Sequence, residues 1–528
     1  MIIDRSASRC WILHLMAGVC LAAPACQDRS AEANRVVMRW LKCEECVEDE
    51  LQAVRDLGND AVQPLADALR GPPADSTANV ESQLGQAYVL VRDRGPAPTL
   101  DSTRYVNHYL ANYKSLYQSR AISGLAAIGN ERAIAALEEA RDSAQHDVNL
   151  FRTDVRDELE RALGGRWASI SAGLSRTCGI TINGKTYCWG SNDEGQLGDG
   201  SGTDRLKATL VSDPSGAGEN FRFISIAVGD SGRHTCGISA DKLAFCWGDN
   251  SRGQLGDGST EDRLKPTAVD TNVRFVGITV GGNQTCGWTP EYQAFCWGDN
   301  AVGELGDGTT TNRPHPTVVA NFGPIRISAG AAHTCADSLN NVLYCWGSNA
   351  KGQLGSPLPT NQTFPSQVNL HNFVRSMSVG ATHTCVLAQG PSSAPEGGAS
   401  CAGSNGDGQL GDGSTTDRTH FVEVLGPRFL TISAGADHTC GIAVGTRRMY
   451  CWGGNQFGQL GTGMPDPATT PTSVSGDRGF VAVSAGAGHT CGITVEGEAL
   501  CWGLNSEGQL GDSTTTNHPS PVRVAKPN

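Results

Sequence analysis

Charged residues are scarce in this chain, at 18% of 528 residues, and aromatic side chains supply only 6%. No run of Lys and Arg forms a basic tail, and the formal net charge is −13. A nucleic acid asks for a basic surface, so neither nucleic-acid nor chromatin binding is expected. Only one stretch is apolar over any length, from Trp11 to Ala23, and His14 breaks it. It is short for a membrane-spanning helix. The sequence also lacks a Gly-x-Ser-x-Gly elbow, a phosphate-binding P-loop and a His-Glu-x-x-His zinc motif. No catalytic residue, cofactor or metal ligand is therefore expected.

What the chain has in excess is glycine, 66 residues, and cysteine, 19. Much of both belongs to one repeated phrase between Ser171 and Leu510. It reads Ser-Ala-Gly, a variable pair, His-Thr-Cys-Gly-Ile, about nine residues, Cys-Trp-Gly-x-Asn, then Gly-Gln-Leu-Gly-Asp-Gly. The clearest copies are Ser433 to Gly461 and Ser484 to Gly511. A unit this short cannot bury its own apolar face, so the seven copies must pack on one another.

Each copy carries one cysteine pair: Cys178/Cys188, Cys236/Cys246, Cys286/Cys296, Cys335/Cys345, Cys385/Cys401, Cys440/Cys451 and Cys491/Cys501. If Cys178 and Cys188 lie opposite on antiparallel strands, the loop between them is Ile182-Asn183-Gly184. A three-residue hairpin loop wants a left-handed last residue, which Gly accepts. Cys491/Cys501 gives Val495-Glu496-Gly497, and Cys335/Cys345 gives Leu339-Asn340-Asn341. Cys440/Cys451 is one residue longer and gives Gly445-Thr446, Gly first, as a type II′ turn requires. Lys242 and Tyr292 fall on the strained position in two copies. Each pair is read as a cross-strand disulfide within one hairpin.

Side chains alternate across a strand, so Trp189 faces away from Cys188, and Trp247, Trp297, Trp346, Trp452 and Trp502 behave alike. Both sheet faces are then covered only if sheets stack face to face. Apolar segments such as Phe221 to Ile226 precede the hairpins, and segments such as Pro316 to Val319 follow them. About four strands per unit is the make-up of a propeller blade. No strand of the Pro-x-Val kind precedes Trp167, whereas Pro521-Val522-Arg523-Val524 follows the last copy. That final strand is expected to complete the first blade and leave no open edge.

These units resemble the repeats of the RCC1 family, the regulator of chromosome condensation, across residues 167 to 525. The resemblance implies an all-β seven-bladed propeller. Its best-known eukaryotic member is a guanine nucleotide exchange factor for a small GTPase, and others, a secreted bacterial β-lactamase inhibitor among them, only bind proteins. Family membership bears on fold more than on function. The exchange-factor reading transfers poorly, because an exported chain meets no such GTPase and no long inserted wedge is evident.

Export is read from the first residues. Arg5 and Arg9 precede the apolar run, and Ala23-Pro24-Ala25 supplies small residues before Cys26, as in a signal peptide spanning 1–25. The site resembles a bacterial lipobox with Cys26 as the acylated residue, although Ala23 stands where Leu is usual. Setting aside Cys10 and Cys20, the seven pairs and Cys43/Cys46 leave only Cys26 over. Regular pairing points outside the reducing cytosol. Cys43-Glu-Glu-Cys46 is read as a structural bridge, since no second ligand pair for zinc follows.

A linker, 26–35, leads into a small all-α domain, 36–165. There Val47, Leu51, Val54 and Leu57 form one stripe, Gly58 ends it, and Asn59 or Asp60 caps a helix running to Leu69. Helix pairs broken by Gly-Asn resemble HEAT repeats. The propeller takes 166–528.

Two recurrent features and one irregular blade invite a functional reading. His234, His333, His383, His438 and His489 occupy one blade position, with Arg176 and Gln284 in two copies. A ring of this kind cannot converge on one ion, and a hydrogen bond within each blade is expected. Asp199, Asp257, Asp307 and Asp412 sit in Gly-Asp-Gly turns that do not fit calcium-loop spacing. In the fifth blade Ala402 replaces Trp, and residues 389–400 lengthen the hairpin, as a tolerated surface loop or as a contact loop. The expected function is non-catalytic recognition of an unidentified protein or cell-envelope component, with membrane contact only through Cys26. The alternatives are nucleotide exchange, or a propeller enzyme with a site at one channel mouth.

Overall fold

The computed structural model describes residues 59–70, helical positions within 118–140, and 166–525 apart from 183, 215–220, 321–322, 339–341, 358–359, 371–372 and 390–397. The signal peptide, Cys26, Cys43 and Cys46 lie outside the described residues. So do the Leu339–Asn341 loop and most of the fifth-blade insertion. The chain divides into two units, Met1–Gly164 and Gly165–Asn528.

In the first unit, helix α1 spans Asn59–Ala68 and buries Ala61, Val62, Leu65 and Ala68. The helix takes in Asn59 and Asp60, the residues read as its cap. The buried Gln118 amide donates to the Leu69 carbonyl at 2.9 Å, satisfying one of the acceptors that a helix end leaves open.

The second unit is a seven-bladed propeller of four-stranded antiparallel sheets, each built from four consecutive strands. In the first blade these are Trp167–Ala172, Arg176–Thr181, Thr186–Gly190 and Arg205–Leu210. The first strand of each blade lies nearest the axis, beside its counterparts in neighbouring blades. Cys178 pairs with Cys188, and the disulfide spans a Cα separation of 4.1 Å. That closeness marks a non-hydrogen-bonded pair, the cross-strand position where side chains approach most nearly.

The same bridge joins Cys236 to Cys246, Cys286 to Cys296, Cys335 to Cys345 and Cys491 to Cys501. It also joins Cys385 to Cys401 in the fifth blade and Cys440 to Cys451 in the sixth, at sequence separations of 16 and 11. Both of these pairs still stand directly opposite each other in the ladder. The extra residues are therefore taken up in the hairpin loops, and the register is untouched.

The hairpin arithmetic holds where it was simplest. Thr181 and Lys185 close the first loop, Thr494 and Glu498 the last, with Gly184 and Gly497 at φ 79° and 78°. Lys242 and Tyr292 do adopt the left-handed conformation, at φ 64° and 61°. The sixth blade differs. Ala443 pairs with Arg448 around a four-residue loop, with both Gly445 and Arg447 left-handed. The two-residue turn fails because the Val444 N–H bonds instead to the Arg428 carbonyl, at 2.9 Å.

The expected closure by a shared blade is not what is built. His518–Arg523 pairs with Ala499–Gly503 as the outer strand of the seventh blade, Cys501 facing Val522. The first blade has its own outer strand. Each copy begins at the axis and ends at the rim, so Trp167–Ala172 needs no strand before it. The ring closes blade against blade. Ala172 N–H donates to Ser484 Oγ at 2.9 Å, and Trp167 N–H to the Gly497 carbonyl at 2.9 Å.

The core lies between blades. Trp247 of the second blade packs on the Cys178–Cys188 bridge of the first, and Trp189 of the first packs on Cys491–Cys501 of the seventh. Trp346 of the fourth packs likewise on Cys286–Cys296, and Trp502 of the seventh on Cys440–Cys451. Trp189, Trp247, Trp297, Trp346, Trp452 and Trp502 are fully buried. One disulfide face meets one indole face at each such junction, as strand alternation requires. The junction of the fourth and fifth blades lacks its indole. Phe421 comes against the apolar cluster around Cys335–Cys345 there, so close to Gly355 that an added Cβ would sit 2.1 Å from the ring.

Candidate recognition surfaces

The repeated histidines are structural, and their partners lie in the next blade rather than their own. His234 Nε2 meets Thr285 Oγ1 at 2.8 Å, His333 meets Thr384 at 2.9 Å, and His489 meets Thr177 at 2.8 Å across the closing junction. Each threonine hydroxyl also reaches back to a carbonyl of the preceding blade, as Thr285 does to Gln254 O at 2.9 Å. A hydroxyl has one proton to give, so the imidazole must be the donor through Nε2. Burial pushes His234, His333, His383 and His489 down to about 3, so each ring is neutral. The reading of a bond inside each blade overlooked that strand and partner face each other across the junction.

The two departures from histidine keep the same duty. Gln284 donates to the Gly330 carbonyl at 2.9 Å, and buried Arg176 donates to Thr235 Oγ1 at 3.1 Å, to Gly232 O at 2.7 Å and to His234 O. Burial, with Arg233 nearby, draws Arg176 down to about 9.

The Gly-Asp-Gly carboxylates are equally engaged. Asp199 accepts from Ser201 N–H at 2.9 Å and from Arg205 Nε at 2.7 Å, and Asp257, Asp307 and Asp412 repeat the arrangement. Partial burial opposes ionisation, but the bonds from Ser201 and Arg205 outweigh it and hold Asp199 below the usual carboxylate range. These turns anchor the outer strand, and no cluster of three ligands for a metal ion occurs among the described residues.

The two ends of the propeller differ in what they present. At the end carrying the Gly-Gln-Leu-Gly loops, the tight turns between first and second strands crowd the axis. A Cβ on Gly330 or Gly435 would meet the Gly380 or Gly486 carbonyl of the next blade at 2.1 or 2.2 Å, so only glycine fits. Acidic side chains such as Asp193, Glu194, Asp262, Asp407 and Asp417 lie in the surrounding loops.

At the opposite end the first strand of six blades carries a β-bulge. The register skips one residue at Ala168, Ile224, Ile325, Arg375, Leu430 and Val481. The unpaired residue turns out of the sheet. Ile224 is 59% exposed, Val481 42%, Leu430 37%, and Val276, at the same position of the third blade, 45%. Arg222, Arg274, Arg428 and Arg478 enter the first strands here, and Lys185, Lys242 and Arg448 sit on the hairpins beside them. The Arg274 guanidinium reaches the Asp241 carbonyl, and Arg478 pairs with Glu498 at 3.1 Å. The reading of Phe221–Ile226 as an apolar strand before its hairpin did not single out Ile224. The signal it passed over is the adjacent apolar pair, Phe-Ile or Phe-Val, which breaks strict alternation.

A seven-bladed ring whose junctions are built from Cys-Trp-Gly and Gly-Gln-Leu-Gly is a repeat propeller of one family. The regulator of chromosome condensation (RCC1) repeat matches residues 183–238, 243–288, 293–336, 340–387, 448–493 and 496–528, and a second description of the repeat covers 167–196, 223–254, 325–353, 429–459 and 480–509. The chain belongs to the RCC1 repeat family. It is 32% identical over 116 residues to the ultraviolet-B receptor UVR8 of Arabidopsis thaliana, spanning 22% of this chain and 25% of the receptor. It is 28% identical over 145 residues to the E3 ubiquitin-protein ligase HERC2 of Mus musculus, spanning 28% of this chain and 3% of the ligase. The matches thus span a quarter or less of these relatives. Among solved structures, human WBSCR16 superposes with TM-score 0.56 at 21% identity, over 63% of this chain and 88% of that one. Yeast RCC1 (Prp20), solved bound to Kap60, gives 0.57 at 18% identity, over 69% and 86%. At such identities the likeness is one of fold.

Proposed function

We propose that the chain is an exported, lipid-anchored bacterial protein whose propeller recognises a protein or cell-envelope partner without catalysing a reaction. The observation that carries this reading is the set of seven buried disulfides, one per blade. Such a set persists in an oxidising compartment. Signal-like residues 1–25 followed by Cys26 supply a route there and an anchor. The recurrent titratable groups speak for binding rather than chemistry, because the histidines are buried and bonded across junctions and the aspartates hold loops. Nucleotide exchange on a small GTPase is the second reading, favoured by the family and disfavoured by the disulfides.

Cross-linking in the native envelope, followed by mass spectrometry, tests it. A saturable partner recovered with the wild-type chain and lost from the membrane fraction in Cys26→Ser is the expected result. Recovery of monomer alone, together with faster nucleotide release from a small GTPase, would transfer the assignment to exchange.

A further inference from the structure

We infer that the bulged end of the channel is the docking site, and that its occupant is an acidic polypeptide segment carrying apolar side chains. This rests on the recognition reading above and names the chemistry of its partner. The bulges turn Ile224, Leu430 and Val481 out of the innermost strands, and Val276 joins them. Isolated exposed apolar residues need no explanation, but here the bulge repeats in six blades, exposes a large apolar side chain in three of them, and Val276 supplies a fourth at the same position.

Charge selects the occupant. The chain as a whole is acidic, at −13, and the opposite end displays aspartates and glutamates. Around the bulged end, exposed Arg274, Arg375 and Arg428 border the apolar positions. Asp241, Glu291, Asp477, Glu496 and Glu498 also stand at this end, but Arg222, Arg448, Arg478, Lys185 and Lys242 join the three arginines and outnumber them. An acidic segment therefore meets a net positive surface here and a net negative one at the opposite end, which steers its approach and fixes its orientation. Apolar side chains at its tip then cover the four exposed groups. The exposed apolar groups stand on the innermost strands, with charged hairpins outside them. That arrangement suits a narrow chain segment entering at the axis better than a flat bilayer.

The test uses the full chain and fluorescein-labelled twelve-residue peptides: one of Asp and Glu with two central Leu, one with Lys in place of the acids, and one with Ser in place of Leu. Fluorescence anisotropy at two salt concentrations is expected to show saturable binding of the acidic Leu peptide only, weakening as salt rises. Leu430→Asp/Val481→Asp and, separately, Arg274→Glu/Arg428→Glu are expected to weaken it tenfold or more. Asp193→Lys/Glu507→Lys at the other end is expected to leave it unchanged. The altered side chains are exposed or rim-placed, and the thermal midpoint of each variant confirms folding. Equal binding of the Lys peptide, or wild-type affinity in both bulged-end variants, overturns the proposal. So does a preference for phosphatidylglycerol vesicles that the same variants abolish, which would assign this end to a membrane. If envelope cross-linking captures a partner at Asp193 instead, recognition stands and this docking site falls.

Discussion

His383 of the fifth blade is bonded to Thr439 of the sixth at 2.9 Å, and Thr439 in turn donates to the Gln409 carbonyl of the fifth at 2.8 Å. The chain of bonds leaves one blade, enters the next and returns. It converts two sheets with no shared ladder into one hydrogen-bonded unit. Thr439→Val keeps the shape and removes the hydroxyl, stranding the buried His383 N–H, while the Gln409 carbonyl keeps only the Trp452 indole N–H at 3.0 Å. A loss of ~1–3 kcal/mol per variant is expected in denaturant unfolding. An unchanged midpoint would show that the junction does not depend on this bond.

The same histidines set the acid limit of the fold. His234, His333, His383 and His489 are held at about 3 in the folded chain, against ~6.5 unfolded. Between those values the unfolded chain binds more protons, so stability rises with pH there and is complete only above about 6.5. Asp199, Asp257, Asp307, Asp412 and Asp512, held low, add a further loss once pH falls below ~4. Buried Asp230, raised to about 7, works the other way, as do Glu194, Glu304 and Asp407, raised by burial, but only Asp230 rivals the four imidazole shifts in size. Denaturant midpoints should therefore fall steadily from pH 7 to pH 4.5. His383→Gln, which copies the natural glutamine at Gln284, should flatten that slope. Equal midpoints at pH 7 and pH 5 would contradict the assignment of neutral imidazoles.

Much of this was legible beforehand, for a physical reason. Repetition at one period reveals which residues are equivalent, and equivalence is what a propeller uses. Cys178 opposite Cys188, Trp189 facing the other way and the left-handed Lys242 all follow from local geometry. What escaped was set between blades. The reach of His234 to Thr285, the closure at Ser484 and Ala172, and the bulge at Ile224 depend on neighbours that no single repeat specifies.

The disulfides should resist reduction in the folded protein. Both sulfurs of Cys236–Cys246 belong to fully buried residues, so a thiol reaches them only after the junction opens. Native protein in dithiothreitol should take up no alkylating agent at the fourteen propeller cysteines, while the same treatment in denaturant labels all seven pairs. Removing one pair, Cys236→Ala/Cys246→Ala, opens a loop of about ten residues and should cost ~2–3 kcal/mol in the chain-entropy account. Labelling of these cysteines in folded protein would mean that the junctions breathe or the bridges are absent.

The axial turns forbid any side chain. Gly435→Ala would place a Cβ 2.2 Å from the Gly486 backbone carbonyl and 2.9 Å from the buried His438 ring, leaving little room to shift. A loss of ~1–3 kcal/mol or more is expected. Gly476→Ala is the contrasting case, left-handed at φ 88° with nothing within 4 Å of the added atom, and should cost only the ~1 kcal/mol of backbone strain. Gly435 is not left-handed, so a loss there no larger than at Gly476 would mean that the neighbouring blade yields to the added methyl.

Phe421 and Ala402 form a compensating pair. Elsewhere the position of Phe421 in the outer strand is Pro266, Pro316, Pro365, Pro471, Pro521 or Ala208, all small, and every other blade has Trp where the fifth has Ala402. The ring moved from the third strand to the fourth while still filling the junction at Gly355. Phe421→Pro alone should leave a void and cost ~3–5 kcal/mol. Ala402→Trp alone should overpack a filled site and cost ~1–3 kcal/mol. The double variant restores the arrangement of the other blades, so its loss should fall below that of Phe421→Pro by itself. A double-mutant cycle measures the coupling, expected at ~2 kcal/mol or more in the favourable sense. Simple additivity would show that the two side chains never compete for the same space, and that the fifth blade tolerates its missing indole by some other means.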